Sequence, residues 1–174
     1  MDLELKDLIN SGIKGLTPYE PGKPIEDLER EYGIKNAIKL ASNESPLGPS
    51  PKVLEVLKEV ISGIHRYPDG NGSRLKEALS TRHSVSTDML TLGNGSNDII
   101  ELVARCFLTP NDNAVYSKHA FAVYPLVTQL LGAQGVEVEA KDWGHDLQAM
   151  LDAINDKTKV VFIANPNNPT STYL

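Results

Sequence analysis

The sequence has little cysteine, few aromatic residues and no long apolar run. Its 174 residues include one cysteine, Cys106, which lies in an apolar segment that we predict to be helical. A single cysteine excludes an intrachain disulfide and a zinc site built from several cysteines, and it is typical of a reducing compartment. We predict that Cys106 is a thiol of the hydrophobic core.

Positive charge is also scarce, and it is spread along the chain. Seventeen Lys and Arg residues stand against 23 Asp and Glu residues, which gives a formal net charge of −6. This balance disfavours nucleic acids and anionic membranes as partners and favours small molecules. No apolar run approaches the roughly 20 residues of a membrane span, and the N-terminus lacks the apolar core of a signal peptide. We expect a cytoplasmic protein with no nucleic-acid partner and no membrane partner.

The apolar content of 40% indicates a globular protein, either one domain or part of a larger one. From residue 88 onward, apolar patterns with the period of a strand alternate with patterns that have the period of a helix. This alternation predicts an α/β fold with a doubly wound, mostly parallel sheet. We predict strands at 89–92, 114–116, 136–138 and 160–164, and helices at 98–108, 121–131 and 147–154.

The first half of the chain is less regular. Apolar residues at near-helical spacing predict an amphipathic arm over residues 1–16, of a kind that often packs on a neighbouring subunit; they are Leu3, Leu5, Leu8, Ile9 and Ile13. We predict an extended, proline-rich connector at 17–27, a short strand at 38–41, and helices near 51–61 and 73–83. A turn-rich loop at 65–72 presents Tyr67.

Three loops are candidates for chemistry. The glycine loop 93–97 opens a helix and so predicts a phosphate cradle, although it lacks the lysine of a nucleotide P-loop and has Asp98 in place of the third glycine of a dinucleotide fingerprint. In loop 118–125, an aromatic side chain is placed to stack on a planar ligand. At 165–170, Asn167 and Asn168 follow a buried strand and are placed to project amide donors into a cleft.

Each loop also has a plainer interpretation. Ser96 can simply be the N-cap of the helix, with glycine making a tight turn before it. Phe121 and Tyr124, which are three residues apart, can be core residues on one helix face, and His119 can be a solvated loop residue, with no residue spacing that supports a metal site. The asparagine loop can be an ordinary turn rich in Asn and Pro.

The order of five motifs along the chain makes a more specific case. Together they resemble the N-terminal half of the histidinol-phosphate aminotransferase family, which consists of pyridoxal-phosphate (PLP) enzymes of fold type I. The resemblance covers essentially all 174 residues. The motifs are Asn43-Glu44-Ser45-Pro46-Leu47-Gly48, Arg66-Tyr67-Pro68-Asp69-Gly70, Gly93-Asn94-Gly95-Ser96-Asn97, Phe121-Ala122-Val123-Tyr124-Pro125 and Asn165-Pro166-Asn167-Asn168-Pro169-Thr170.

The resemblance implies a role for individual residues of this chain. Six would contact the cofactor: Gly95, Ser96 and Asn97 at its phosphate, Phe121 on its pyridine ring, Asn168 at its O3′ oxygen, and Tyr67 at the phosphate of a dimer partner's cofactor. Tyr19 and Asn43 would lie near the substrate. The substrate implied is an amino acid or amino-alcohol phosphate. The full-length protein is expected to be a homodimeric enzyme that acts in histidine biosynthesis.

The resemblance also implies a partial fold type I structure with three parts. These are an arm and connector at 1–45, part of a small domain at 46–87, and the first part of the PLP-binding large domain at 88–174. The sheet is then expected to have a gap, because strands of the missing half lie between those present here.

Two departures from the family pattern bear on function. Ser171 stands where the family usually has glycine, so its backbone would be strained at positive φ. The chain also ends before the aspartate, the Schiff-base lysine and the substrate-binding arginines of the family, so we assign no catalytic residue to it. Two functions therefore stay open: a fragment of a PLP-dependent aminotransferase that is inactive alone, or a non-catalytic remnant that binds phosphate compounds or a full-length homologue.

Overall fold

A computed structural model describes residues 8–174, which divide into two compact units. We call residues 8–19 and 91–174 the sheet unit, and residues 20–90 the helical unit. The helices are α1 Ile25–Tyr32, α2 Pro51–Val60, α3 Ser73–His83, α4 Ser96–Phe107, α5 Val123–Leu130 and α6 Leu147–Asp152. The strands are β1 Asn113–Ser117, β2 Gln134–Val138 and β3 Thr158–Phe162. None of the described helices is long and apolar enough to cross a membrane.

The three strands of the sheet unit form a parallel sheet in the order β2-β1-β3. All five residues of the central strand β1 are buried. The chain leaves β1 for β2 on one side and then returns past β1 to β3 on the other, which is the reversal expected of a doubly wound sheet. The predicted strands at 114–116, 136–138 and 160–164 are confirmed.

The helices of the sheet unit cover both faces of the sheet. On one face, Ala114 and Tyr116 of β1 pack in a core with Ala104 of α4 and Val127 of α5. On the other face, Val115 packs against Met150 of α6. Successive residues of a strand point to opposite faces, so β1 supplies both cores and fixes an α/β/α arrangement.

The prediction of a buried Cys106 is wrong, because this thiol is exposed on α4. The core-facing residue of the helix is Ala104, which is completely buried. Each helical residue adds about 100° of rotation, so Cys106 points roughly 200° away from Ala104. The apolar composition of the helix had concealed which of its faces meets the sheet.

The helical unit contains a helix that the sequence analysis missed. The predicted connector 17–27 ends at Pro24, where α1 begins with the acidic residues Glu26 and Asp27 in its first turn. The predicted helices near 51–61 and 73–83 are confirmed as α2 and α3. A 3₁₀ turn, Ile61–Gly63, continues directly from α2.

Two predicted strands are wrong. Residues 38–41 form no strand and no strand pair with any described residue, and Ile38 and Leu40 are 85% and 90% exposed. In the segment 89–92, Met89 is the last residue of a 3₁₀ turn, Thr87–Met89, and residues 90–92 form no strand pair within the described part of the chain. Both segments have the apolar content of a strand, but a strand also needs a neighbour for its backbone hydrogen bonds.

The N-terminal segment packs within its own chain. Leu3 and Leu5 of the predicted arm lie outside the described residues. The following residues form a 3₁₀ turn, Ser11–Ile13, whose central Gly12 is buried. A Cβ at Gly12 would lie 2.7 Å from the carbonyl oxygen of Leu130, so only glycine permits this close approach to the end of α5.

Candidate functional site

The glycine loop 93–97 ends where α4 begins. Gly95 has φ 80° and precedes Ser96, the first helical residue, and no side chain caps the helix. The interpretation of Ser96 as N-cap is therefore wrong, because Gly95 occupies that position. The carboxylate of Asp98 turns back and accepts hydrogen bonds from the N–H and the side-chain amide of Asn94, at 2.9 and 3.1 Å. The N–H groups of the first turn are left without partners inside the helix, an arrangement suited to an anion.

The direction of α4 places this helix start near the other candidate loops. The helix ends at Phe107, and β1 begins at Asn113 after a short connection. Ala104 and Leu108 pack in the core with residues of β1 and β3. Because the end of α4 lies close to the start of β1, the helix runs back along the sheet and begins near the carboxyl ends of the strands. Ligands of doubly wound sheets bind at this edge.

Phe121 and Tyr124 have different surroundings, so the core interpretation and the ligand-stacking interpretation apply to different residues of the pair. Tyr124 is buried and stacks on Phe162 of β3, with ring centroids 4.5 Å apart, which makes it a core residue. Phe121 is half-buried in the loop after β1 and meets Tyr124 edge-on at 6.0 Å. The stacking role of Phe121 stays a prediction.

The two adjacent asparagines of the loop after β3 also differ. Asn167 is only 3% exposed, and its side-chain amide donates to the carbonyl oxygen of His119 at 3.2 Å and to the hydroxyl of Thr170 at 2.7 Å. The expectation that Asn167 projects into a cleft is therefore wrong, because this side chain is engaged inside the loop. Asn168 is half-buried, and no hydrogen bond of its side chain is recorded. Its contact with a cofactor stays a prediction.

A short hairpin after β2 also reaches this edge of the sheet, and the sequence analysis did not identify it. Lys141 and Gly144 pair as an antiparallel bridge around Asp142 and Trp143, which have φ values of 50° and 64°. The ring of Trp143 lies 4.9 Å from that of His119. Asp142 was the available signal, since Asp is frequent at the first position of two-residue hairpin turns, which require positive φ there.

Backbone strain concentrates at this edge. Of the six described residues other than glycine with positive φ, four lie in the loops that follow the strands: His119, Asp142, Trp143 and Ser171. Such residues persist only where surrounding contacts hold them, and they cluster at functional sites. The imidazole of His145 joins the loop after β2 to the loop after β3, since its Nε2 lies 2.8 Å from the carbonyl oxygen of Ala164.

The remaining predicted site residues are exposed. Tyr67 lies on the loop before α3 with its side chain fully exposed. Asn43 is exposed in the helical unit, and Tyr19 is exposed at the end of the N-terminal segment of the sheet unit. Their roles stay predictions.

The loop that carries Tyr67 is ordered by Asp69, which leads to a pH prediction. Hydrogen bonds from the N–H groups of Ser73 (2.8 Å) and Asn71 (3.0 Å) hold the pKa of this carboxyl below its ordinary value of 3.8. A lowered folded-state pKa stabilises the fold above the unfolded-state pKa, and this contribution disappears as the pH falls through the folded-state pKa. We expect a carboxyl titration midpoint below 3.8 in NMR of ¹³C-labelled aspartate. In an Asp69→Asn variant, the N–H shifts of Asn71 and Ser73 should lose this acid transition, and its persistence would show that another group is responsible.

The chain belongs to the aminotransferase class I and II family, whose sequence model matches residues 35–174. Among curated relatives, the histidinol-phosphate aminotransferase 2 of Pseudomonas fluorescens is 60% identical over 168 residues, which are 95% of this chain and 45% of that protein. The histidinol-phosphate aminotransferase 2 of Methylococcus capsulatus is 54% identical over 178 residues, covering 99% of this chain and 48% of the relative.

A solved structure gives the same result. The histidinol-phosphate aminotransferase of Sinorhizobium meliloti, in complex with pyridoxal-5′-phosphate, superposes with a TM-score of 0.82 at 27% identity. The match covers 93% of this chain and 43% of that one. The chain thus spans about half the length of the relatives it matches. The resemblance and the fold class inferred from the sequence are confirmed.

The expected strain at Ser171 is confirmed by its φ of 59°. A left-handed conformation costs a residue other than glycine about 1 kcal/mol, and the greater flexibility of glycine in the unfolded chain offsets part of any gain. We expect Ser171→Gly to raise the free energy of unfolding by about 0.5 kcal/mol, measured by chemical denaturation of a fusion in which the C-terminal half of the Pseudomonas fluorescens relative follows Leu174. Ser171→Ala is the matched control, since it removes the hydroxyl and keeps the strain. Equal stability of the two variants would show that φ is not the cause.

Proposed function

We propose that residues 1–174 are the part of a PLP-dependent aminotransferase that holds the cofactor phosphate and ring. The whole enzyme would transfer an amino group between histidinol phosphate and 2-oxoglutarate or glutamate, as a homodimer in histidine biosynthesis. The uncapped start of α4 carries the proposal, because it offers an anion site near the same sheet edge as Phe121 and Asn168. The names of the relatives support the choice of substrate.

The residues present fit this cofactor, which has a phosphate dianion, a planar ring and a phenolic oxygen. The space into which a Cβ of Gly95 would project contains no atom within 4 Å, so an anion has room to approach the backbone there. The carboxylate of Asp98 is bonded to Asn94, on the loop side of the helix start. Phe121 supplies an aromatic surface, and Asn168 supplies an amide donor.

Each residue then has a specific task. Gly95, Ser96 and Asn97 bind the phosphate, Phe121 orients the ring, and Asn168 donates to the phenolic oxygen, which favours its ionised form. The bound cofactor supplies an electron sink for the carbon that loses its proton. Tyr19 and Asn43 lie towards the amino-acid substrate. Tyr67 donates to the phosphate of the cofactor bound by the partner subunit, which requires a dimer.

The experiment supplies the C-terminal half of the Pseudomonas fluorescens relative as a separate chain and follows PLP absorbance. We expect the assembled complex to bind PLP, with Ser96→Ala and Asn97→Ala each weakening binding. A remnant that binds only phosphate compounds would bind inorganic phosphate, and would also bind PLP. For each ligand, its affinity would be the same with and without that half. This result would favour the non-catalytic alternative.

The role of Tyr67 is tested in the same complex. Tyr67→Phe removes one hydroxyl from a fully exposed side chain, so the fold should not change. If this hydroxyl donates to a phosphate across the dimer, its loss should weaken PLP binding by roughly 1 kcal/mol, or somewhat more because the acceptor is charged. Tyr32→Phe, on the exposed surface of α1, is the matched control. Unchanged affinity with Phe at position 67 would leave Tyr67 as an ordinary exposed loop tyrosine.

A further inference from the structure

We propose that Asn167, Thr170 and Thr172 are positioning residues that brace the loops after β1, β2 and β3 into one unit. The proposal rests on the proposed function in one respect, since Phe121 and Asn168 are taken to hold the cofactor. Its structural content is independent of any ligand. Through the brace, the loop that carries Phe121 and the loop that carries Asn168 keep a fixed relation to each other.

The brace begins at the amide of Asn167. Both hydrogens of its Nδ2 are used, one by the carbonyl oxygen of His119 at 3.2 Å and the other by Oγ1 of Thr170 at 2.7 Å. The first bond crosses from the loop after β3 to the loop after β1. Because a backbone carbonyl oxygen can only accept, the contact with His119 also fixes which end of the Asn167 amide is nitrogen and which is oxygen.

The hydroxyl groups continue the brace in one direction. Oγ1 of Thr170 accepts from Asn167, so its own hydrogen is free to go to Oγ1 of Thr172, 3.0 Å away. The hydroxyl of Thr172 then donates to the carbonyl oxygen of Trp143 at 3.3 Å, in the hairpin after β2. Each hydroxyl accepts once and donates once, so one arrangement satisfies every hydrogen of the brace.

Backbone bonds hold the middle of the brace in place. The N–H of Asn167 donates to the carbonyl oxygen of Thr172 at 2.7 Å, and the N–H of Ser171 donates to that of Asn167 at 2.8 Å. The brace therefore contacts three of the four strained residues of this edge directly, through His119, Trp143 and Ser171. Fixed hydrogen bonds are the contacts that strained backbone requires in order to persist.

The consequence concerns the neighbours of the brace along the chain. Asn168 directly follows Asn167, and Phe121 is two residues beyond His119. A loosened brace would let both side chains move with their loops, although the brace residues are not among those assigned to the cofactor. Loss of the brace should therefore loosen loops in which no residue has been changed.

The test measures hydrogen exchange by mass spectrometry on the full 174-residue chain. The variants are Asn167→Ala and Thr172→Val, with Thr172→Ser as the conservative variant that keeps the hydroxyl. The control is Thr81→Val, because the Thr81 hydroxyl bonds only the carbonyl oxygen of Glu77 in its own helix, at 3.0 Å. Exchange in β1 reports whether the fold is intact. The single tryptophan, Trp143, gives a second signal through its fluorescence.

We expect Thr172→Val to speed exchange in the hairpin 141–144 about fivefold and to shift Trp143 emission, and Asn167→Ala to speed exchange in 118–122 as well. Thr172→Ser should restore the original values. In the complex assembled with the relative's C-terminal half, both loosening variants should weaken PLP binding about fivefold. Exchange changes confined to 165–174, or no restoration by serine, would overturn the brace. If Asn167→Ala speeds exchange in β1, its fold is not intact, and the Thr172→Val results alone decide whether the brace exists.

The two proposals fail in different ways. If the assembled complex does not bind PLP at all, the proposed function is wrong, while the exchange results still decide whether the brace exists. If PLP binds normally to the loosened variants, the brace exists but does not position the cofactor residues, and the positioning role is overturned.

Discussion

A polypeptide of residues 1–174 alone is expected to show no transaminase turnover, and turnover is expected to appear when the C-terminal half of the Pseudomonas fluorescens relative is added. The residues placed at the sheet edge are suited to binding and orientation: helix N–H groups, an aromatic ring and an amide. The family resemblance assigns the proton-moving lysine to the other half. Without a positioned base, the barrier to proton removal stays high even if the cofactor binds.

The experiment compares three samples at equal protein concentration: residues 1–174, the added half alone, and the mixture. Production of glutamate from 2-oxoglutarate and histidinol phosphate is followed with time. Fusing the added half directly after Leu174 gives a positive control in which assembly does not depend on concentration. Turnover by residues 1–174 alone, accompanied by a PLP adduct on a single lysine, would show that the catalytic lysine lies within this chain.

The elements that the sequence predicted well are those with local signals. The predicted helix 73–83 coincides with α3, which follows Gly72 in a left-handed conformation and is preceded by the Asp69 turn. The strands at 114–116, 136–138 and 160–164 were found because short apolar segments alternate with helical patterns there. Only β1 is buried along its whole length, whereas β2 and β3 also contain exposed residues.

The predictions that failed concern elements whose structure depends on residues distant in the sequence. Residues 38–41 and 89–92 have strand-like sequences, but whether they pair depends on what lies beside them in space, which no local pattern contains. The missed helix α1 lies just after a proline-rich connector. Those prolines favoured the prediction of an extended segment, and the acidic first turn of the helix was overlooked. Cys106 was misplaced for a similar reason, because the core-facing side of α4 is decided by the sheet.

In the candidate site, the sequence predicted which loops form the site, but it did not predict which residues within a loop have structural roles. Asn167 and Asn168 have the same side chain, and only the fold shows that the first is held by His119 and Thr170. The hairpin around Trp143 was overlooked because its importance comes from the carbonyl oxygen of Trp143, a group that every residue carries. Roles that depend on backbone atoms leave little trace in a sequence.

Residues 1–174 alone are also expected to self-associate and to show no cooperative unfolding transition as a monomer. An open apolar groove of about 270 Å³ is lined by Leu147 and Leu151 of α6, Ile154 just after this helix, Val161 of β3 and Ile163 just after this strand. Beside it, β3 pairs only with β1, so its other edge has no partner among the described residues. An unpaired strand edge next to exposed apolar side chains favours association between chains.

A single charge in the groove should weaken both self-association and assembly with the other half. Leu151 is 59% exposed, so Leu151→Lys should leave the fold intact while it raises the monomer fraction in sedimentation velocity. If the added half covers this groove, the same lysine should weaken complementation by about 3 kcal/mol, roughly 100-fold in affinity, because the apolar contact is lost and a charge is desolvated.

Tyr32→Lys on α1 is the matched control and should change neither measurement. A wild-type chain that is monomeric and melts cooperatively would contradict the first expectation. Full complementation by the Leu151→Lys variant would show that the other half packs elsewhere.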